Sequence, residues 1–350
     1  NEGLFPNSEI AFLDRINVLN TLAEYLDPTE ANVLYQSVAK TLGSKLADSE
    51  ADSEEIKALS FGMALLGKKT NSTDIIPYAQ SALLTFTSNL EPGPREVRDW
   101  IKALDALVSR LSSKDACSLG LVILNQLVDA DARSERLARQ YEAFKIVVPR
   151  LEEHDAEELA KVAMSYLGDE EFANSRRDSA IARALSFLAD KVTPNTASLV
   201  TNKLTNFITS TQEPNIELVY NFSLALASMA NRIAPVQAST PAKKLAEHIA
   251  TSDPGRTYIF YLLGVPLASL SARIDLEESE SIFTRIAPIF LSQLSQSTDC
   301  ANASQLAKVL AQLADGLPQS ETSSILTKVS QDIVSRFKRK RIWTLTVLKT

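Results

Sequence analysis

The chain has 350 residues, 45% hydrophobic and 23% charged, so it has ample apolar surface to bury and does not read as disordered. Glycine is scarce (10 residues) while Leu, Ala and Ser abound, which favours helices because Ala and Leu lose little entropy there and Gly loses much. The net charge of −7 conceals an asymmetry: residues 336–350 hold six basic side chains and no acid, and the rest holds 30 basic against 43 acidic ones, a body that repels phosphate backbones and argues against wrapping nucleic acid.

Taken in chain order, one helix–turn–helix junction recurs. It stands at Leu22–Ala31, in degenerate form at Leu66–Ile75, then at Leu107–Ala116, Val147–Ala156, Leu188–Ala197, Met229–Ala238, Leu270–Ser279 and Leu313–Thr322. Taking the last residue of each as an anchor, successive anchors lie 40 to 44 residues apart. Seven residues after the anchor stand Val38, Ala82, Ile123, Ala163, Leu204, Leu245, Ile286 and Val329; eleven after it stand Leu42, Phe86, Leu127, Leu167, Ile208, Ile249, Phe290 and Ile333. Both columns are apolar throughout, and offsets of seven and eleven share one helical face.

The helix before the anchor repeats in the same way. Twelve residues before it are Leu19, Met63, Leu104, Phe144, Leu185, Leu226, Leu267 and Leu310, and nine before it are Leu22, Leu66, Leu107, Val147, Leu188, Met229, Leu270 and Leu313. Eight before it the column narrows to Ala23, Gly67, Val108, Val148, Ala189, Ala230, Ser271 and Ala314, as close helix approach requires. The turn chemistry agrees. Pro28, Pro194 and Pro235 suit the first position of the second helix, Asp27 and Thr193 precede two of them as N-caps, and Asp27 with Glu30 makes a capping box. The longest uncharged run, Thr257–Ala272, falls in the repeat register and is interrupted by Pro266, so it is expected as a buried helix rather than a membrane span. No signal peptide is visible, and the start at Asn1 rather than Met suggests a processed or excised piece; a cytoplasmic address is the expectation.

Helical pairs of about 41 residues with this register resemble HEAT or armadillo repeats over residues 10–335. The expected architecture is all-α: a right-handed superhelix of about eight two-helix repeats in residues 1–335. A basic tail at 336–350 follows, read as the start of a further element. The resemblance implies a curved stack that binds proteins along a groove. Exposed positions of the second helices, such as Tyr35, Asn202, Asn206 and Arg285, are the expected lining.

Two charged columns accompany the register. Six residues before the anchor run Lys69, Arg110, Arg150, Lys191, Arg232 and Arg273; one residue before it run Glu30, Asp74, Asp115, Asp155, Glu278 and Glu321. Cations in the last turn of one helix and anions in the first turn of the next suit both macrodipoles, and neighbouring repeats can interleave them as a ladder. In the fifth and sixth repeats Thr196 and Gln237 replace the acid. Lys191, Arg232 and Arg273 are therefore candidate receptors for an acidic segment of a protein partner. The dense run Arg336, Lys338, Arg339, Lys340 and Arg341 is a second candidate, read as a solvated end or as a contact for nucleic acid or anionic lipid.

Catalytic signatures are poor. Cys117 and Cys300 are far apart, only His154 and His248 supply imidazole, and no metal or cofactor is expected. Ser37-Val-Ala-Lys40 matches a Ser-x-x-Lys pattern but falls mid-helix without companion motifs. Sequons stand at Asn71, Asn221 and Asn302; the last two lie in or beside helices and carry little weight. The expected function is a non-catalytic protein-interaction scaffold. The alternatives are a HEAT-like enzyme, such as a lyase, and nucleic-acid or membrane binding through the basic tail.

Overall fold

The computed structural model describes residues 25–46, 104–128, 134–168, 175–211, 214–297 and 300–315, with a few single positions between and after them. Every regular element among these is helical. Contacts divide the chain into two compact units, residues 1–163 and 164–350.

In the first unit lie α1 (Pro28–Leu46), α2 (Ser113–Val128) and α3 (Ser134–Val147). A 3-10 turn at Val148–Arg150 runs on from α3, and α4 (Glu153–Tyr166) follows. The capping box at the start of α1 is formed: Asp27 Oδ1 accepts from the N–H groups of Thr29 and Glu30 at 2.8 and 2.9 Å, and the N–H of Asp27 donates to Glu30 Oε2 at 3.4 Å. Pro149 sits inside the 3-10 turn, where the chain breaks between the paired helices. Gly120 of α2 packs against Leu159 of α4 so closely that a Cβ there would lie 2.7 Å from Leu159 Cδ1.

The second unit holds α5 (Ser175–Leu188), α6 (Pro194–Ser210), α7 (Ile216–Ala230), α8 (Pro235–Thr251), α9 (Thr257–Ser271), α10 (Leu276–Gln296) and α11 (Cys300–Ala314). Their packing follows chain order in two rows. The first helices α5, α7, α9 and α11 each pack on the next, and the second helices α6, α8 and α10 do the same. Neighbouring members of the rows pair across the layer, α6 with α7, α8 with α9 and α10 with α11. That pattern is a solenoid: each hairpin has an apolar face that only its neighbours cover.

The repeat register is the core. Among the described residues every member of the columns at minus twelve, minus nine, minus eight and plus eleven is buried, and so is every anchor; at plus seven only Val38 is not. Pro194 and Pro235 open α6 and α8, and the Thr193 hydroxyl caps the Thr196 N–H. Aromatic pairs tie the rows together: Phe207 to Phe222 at 5.0 Å, and Phe260 to Phe290 edge-on at 6.3 Å. Thr257–Ser271 is a helix of 15 residues inside the stack, and no described helix is long and apolar enough to cross a membrane.

Polar side chains cross the seam in a few places. Asn221 Nδ2 donates to Ser179 Oγ at 2.6 Å, and both residues are buried, so the Asn221 sequon has no accessible acceptor. Buried Asp178 accepts from the N–H of Gly168 at 3.0 Å.

Two expected outcomes test this packing. A Cβ at Gly264 would lie 2.5 Å from Val309 Cγ1 and 3.1 Å from the Phe290 ring, so Gly264→Ala forces α9 away from α11. The overpacking, about 1–3 kcal/mol, should outweigh the gain in helix propensity of about 1 kcal/mol and lower the urea midpoint. His248 on α8 has a buried Nε2 without a hydrogen-bond partner among the described residues, and burial lowers its pKa below 6.5. Folding therefore favours neutral imidazole. That contribution is complete above pH 6.5 and is lost as pH falls from there toward the depressed value. His248→Gln should flatten the fall of the urea midpoint between pH 7.5 and 5, relative to the unaltered chain.

Candidate partner-binding surface

The basic column lies at the junctions between repeats. Arg232 Nη2 donates to the carbonyl of Val192 at 3.0 Å, and Arg273 Nη2 donates to the carbonyl of Ile233 at 2.8 Å. Val192 and Ile233 occupy the same register position, five before their anchors, so each guanidinium reaches back one repeat and satisfies a carbonyl just past the first helix. Arg150 reaches back likewise, its Nη2 standing 3.6 Å from Asp105 Oδ1. Arg150, Lys191, Arg232 and Arg273 are all half-buried. Arg336, Lys338, Arg339, Lys340 and Arg341 lie outside the described residues.

The acidic column has separate work. Asp115 accepts from the Ser112 hydroxyl at 2.6 Å, and Asp155 accepts from the hydroxyl of Ser113 in the preceding repeat. Ser113 Oγ in turn accepts from the N–H of Glu152 at 2.7 Å. Glu278 pairs with Lys243 of the preceding repeat at 2.5 Å, and this bond together with the Ser239 hydroxyl lowers the Glu278 pKa. The cations thus reach carbonyls and a first-helix carboxylate. The anions reach hydroxyls and a second-helix lysine.

The second helices present the other surface. Lys243 of α8 and Glu278 of α10 form one wall of an open cavity of about 720 Å³, completed by Glu247, Asp275, Glu277 and Arg285. Asp275 is engaged as the N-cap of α10, accepting from the Glu278 N–H at 2.8 Å. The neighbouring junction repeats the arrangement in neutral form: Lys244 of α8 donates to Asn206 Oδ1 of α6 at 2.7 Å. Exposed Leu199, Val236 and Leu276 lie on these same second helices. Of the expected lining, Arg285 borders the cavity, Asn206 is exposed and Asn202 is half-buried. Tyr35 is a correction. It is fully buried, four residues after its anchor, and burial raises its hydroxyl pKa.

The cavity was within reach of the sequence. Lys243 stands five after one anchor and Glu278 one before the next, so comparing columns between neighbouring repeats, rather than within one, exposes the pair. Cys117 has no such role in view. Its Sγ and carboxylate oxygens of Asp155 and Glu158 all lie within 4.8 Å of one another, yet burial and the two acids push the thiol up to about 11, so it stays protonated and packs as a small apolar group.

No protein-family description matches this chain, and no curated protein matches it. Among solved structures, the crystal structure of Kap121p bound to Nup53p shares the fold with a TM-score of 0.65 over 95% of this chain, at 10% identity. This chain spans 35% of the length of that one. The class of fold here is a HEAT-like helical repeat stack.

The arginine bonds generate a prediction. Arg273→Met keeps the stem but removes the donor to Ile233, and should cost about 1 kcal/mol, since a half-exposed charged hydrogen bond is partly replaced by water. Equilibrium urea unfolding measures the loss.

Proposed function

We propose that this chain is a non-catalytic scaffold that holds a protein partner along the exposed face of its second helices. The observation that carries the reading is the cavity whose walls come from two successive repeats, α8 and α10, so that one bound segment touches both. A solenoid repeats this face at each junction, which suits an extended partner better than a small substrate. The fold neighbour Kap121p was solved holding Nup53p, which supports the same use of the architecture. On the enzyme alternative, Ser37 and Lys40 lie on the outside of α1 with no base or oxyanion donors converging on them among the described residues.

The test is affinity capture by the full chain, with captured proteins identified by mass spectrometry. Reversing Glu247 and Glu277 to Lys should reduce the specific captured set at least tenfold, whereas Lys308→Glu on the first-helix side should leave it unchanged. Equal capture by both variants would remove the second-helix face from consideration.

A second reading concerns the basic edge. Arg232 and Arg273 are each fixed by one Nη2 bond yet stay half-exposed, which leaves Lys191, Arg232 and Arg273 as a receptor for an acidic segment. The same capture with Lys191→Glu and Arg232→Glu separates the two faces.

A further inference from the structure

The junction between α2 and α4 lacks a positive charge that the equivalent junction between α8 and α10 possesses. In the latter, Ser239 stands one residue after its anchor and hydrogen-bonds Glu278, one before the next anchor. Lys243, five after the anchor, pairs with the same carboxylate at 2.5 Å. At α2 and α4 the residues in these three positions are Cys117, Asp155 and Leu121, so an apolar side chain replaces the lysine. A second carboxylate, Glu158, is added, and neither acid forms an ion pair among the described residues. The Cys117 sulfur and an oxygen from each acid all lie within 4.8 Å of one another, the one such group among the described residues.

We infer that Cys117, Asp155 and Glu158 form a Zn²⁺ site that joins the second helices of two successive repeats. The donors select the ion. Zn²⁺ takes Cys sulfur together with Asp or Glu oxygen, whereas Mg²⁺ and Ca²⁺ take oxygen alone. Tetrahedral Zn–S and Zn–O bonds place such donors about 3.5 Å apart, so the three side chains close by only about 1 Å around the ion. Asp155 is already oriented: its Oδ2 accepts from the Ser113 hydroxyl, which is itself fixed by accepting from the N–H of Glu152 at 2.7 Å. Its Oδ1 makes no hydrogen bond among the described residues and is left for the metal. Cys117 is buried and Glu158 exposed, so the site opens on the Glu158 side, where water completes the fourth position.

Without an ion the thiol keeps its proton, because burial and the two acids disfavour a third negative charge. A divalent cation reverses that balance. The S–H bond breaks, the proton leaves to solvent, and the sulfur and both carboxylates bond the metal. The ion then clips one repeat to the next where the lysine bridge is missing. The inference goes beyond the scaffold reading and does not depend on it.

The test uses the full chain, reduced and freed of metal with a chelator, and the metal ion alone. Isothermal titration should give one Zn²⁺ per chain, and Co²⁺ in its place should show the charge-transfer absorption of a metal–thiolate bond. Cys117→Ser should abolish that absorption and Cys300→Ser should keep it. Glu158→Gln, at an exposed position, should weaken Zn²⁺ binding by at least about tenfold, since loss of a ligand costs no less than loss of a ligand's hydrogen-bond support. Zn²⁺ should also raise the urea midpoint of the unaltered chain and not that of Cys117→Ser. Absence of the thiolate absorption overturns the proposal, as does its loss in Cys300→Ser. Zn²⁺ binding that Cys117→Ser and Glu158→Gln leave unchanged means an adventitious ion only and overturns it too. Should Cys117→Ser fail to fold by circular dichroism, Glu158→Gln and the Co²⁺ spectrum of the unaltered chain decide. No partner protein enters the measurement, so its failure is separate from failure of the scaffold reading.

Discussion

The structure depends on one constraint: a two-helix hairpin cannot bury its apolar face alone. Each hairpin of the second unit covers the one before it and is covered by the one after, and the columns at minus twelve, minus nine, plus seven and plus eleven are where that happens. The small residues at minus eight, and Gly120 and Gly264 at the tightest approaches, set how near the helices come. Burial at this seam leaves the outward positions free of any folding duty.

The polar contacts between repeats follow from the same geometry. Turns stack above turns, so a side chain in one turn meets the backbone of the preceding turn, about forty residues away. Arg232 to Val192 and Arg273 to Ile233 are two instances, and Ser113 with Asp155 and Glu152 is a third. These bonds satisfy carbonyls, hydroxyls and N–H groups that each hairpin leaves open at its bend. Guanidinium suits the task because its fork donates without bending and its stem covers apolar surface. Lysine carries out the corresponding task on the exposed face, at Lys243 and Lys244.

The charge pattern separates the two edges of the stack. On the turn edge, cations are anchored by protein carbonyls and a carboxylate. Along the second helices of residues 235–296, carboxylates outnumber cations and two of them, Glu247 and Glu277, are unmatched among the described residues.

Much of this was legible in the residues. Periodicity specified the helices, their pairing and their buried faces, because apolar burial is local to a face and recurs with each hairpin; Leu226, Leu267 and Leu310 could be assigned to the core without coordinates. Capping was legible for the same local reason, as Asp27 with Glu30 and Thr193 with Pro194 show. Only the tertiary structure decided which polar groups meet. The rotation of one hairpin on the next determines whether Arg232 finds an acid or a carbonyl, and whether the position of Tyr35 is exposed or buried. That rotation is set by packing summed over the whole seam, and no single column of the sequence contains it.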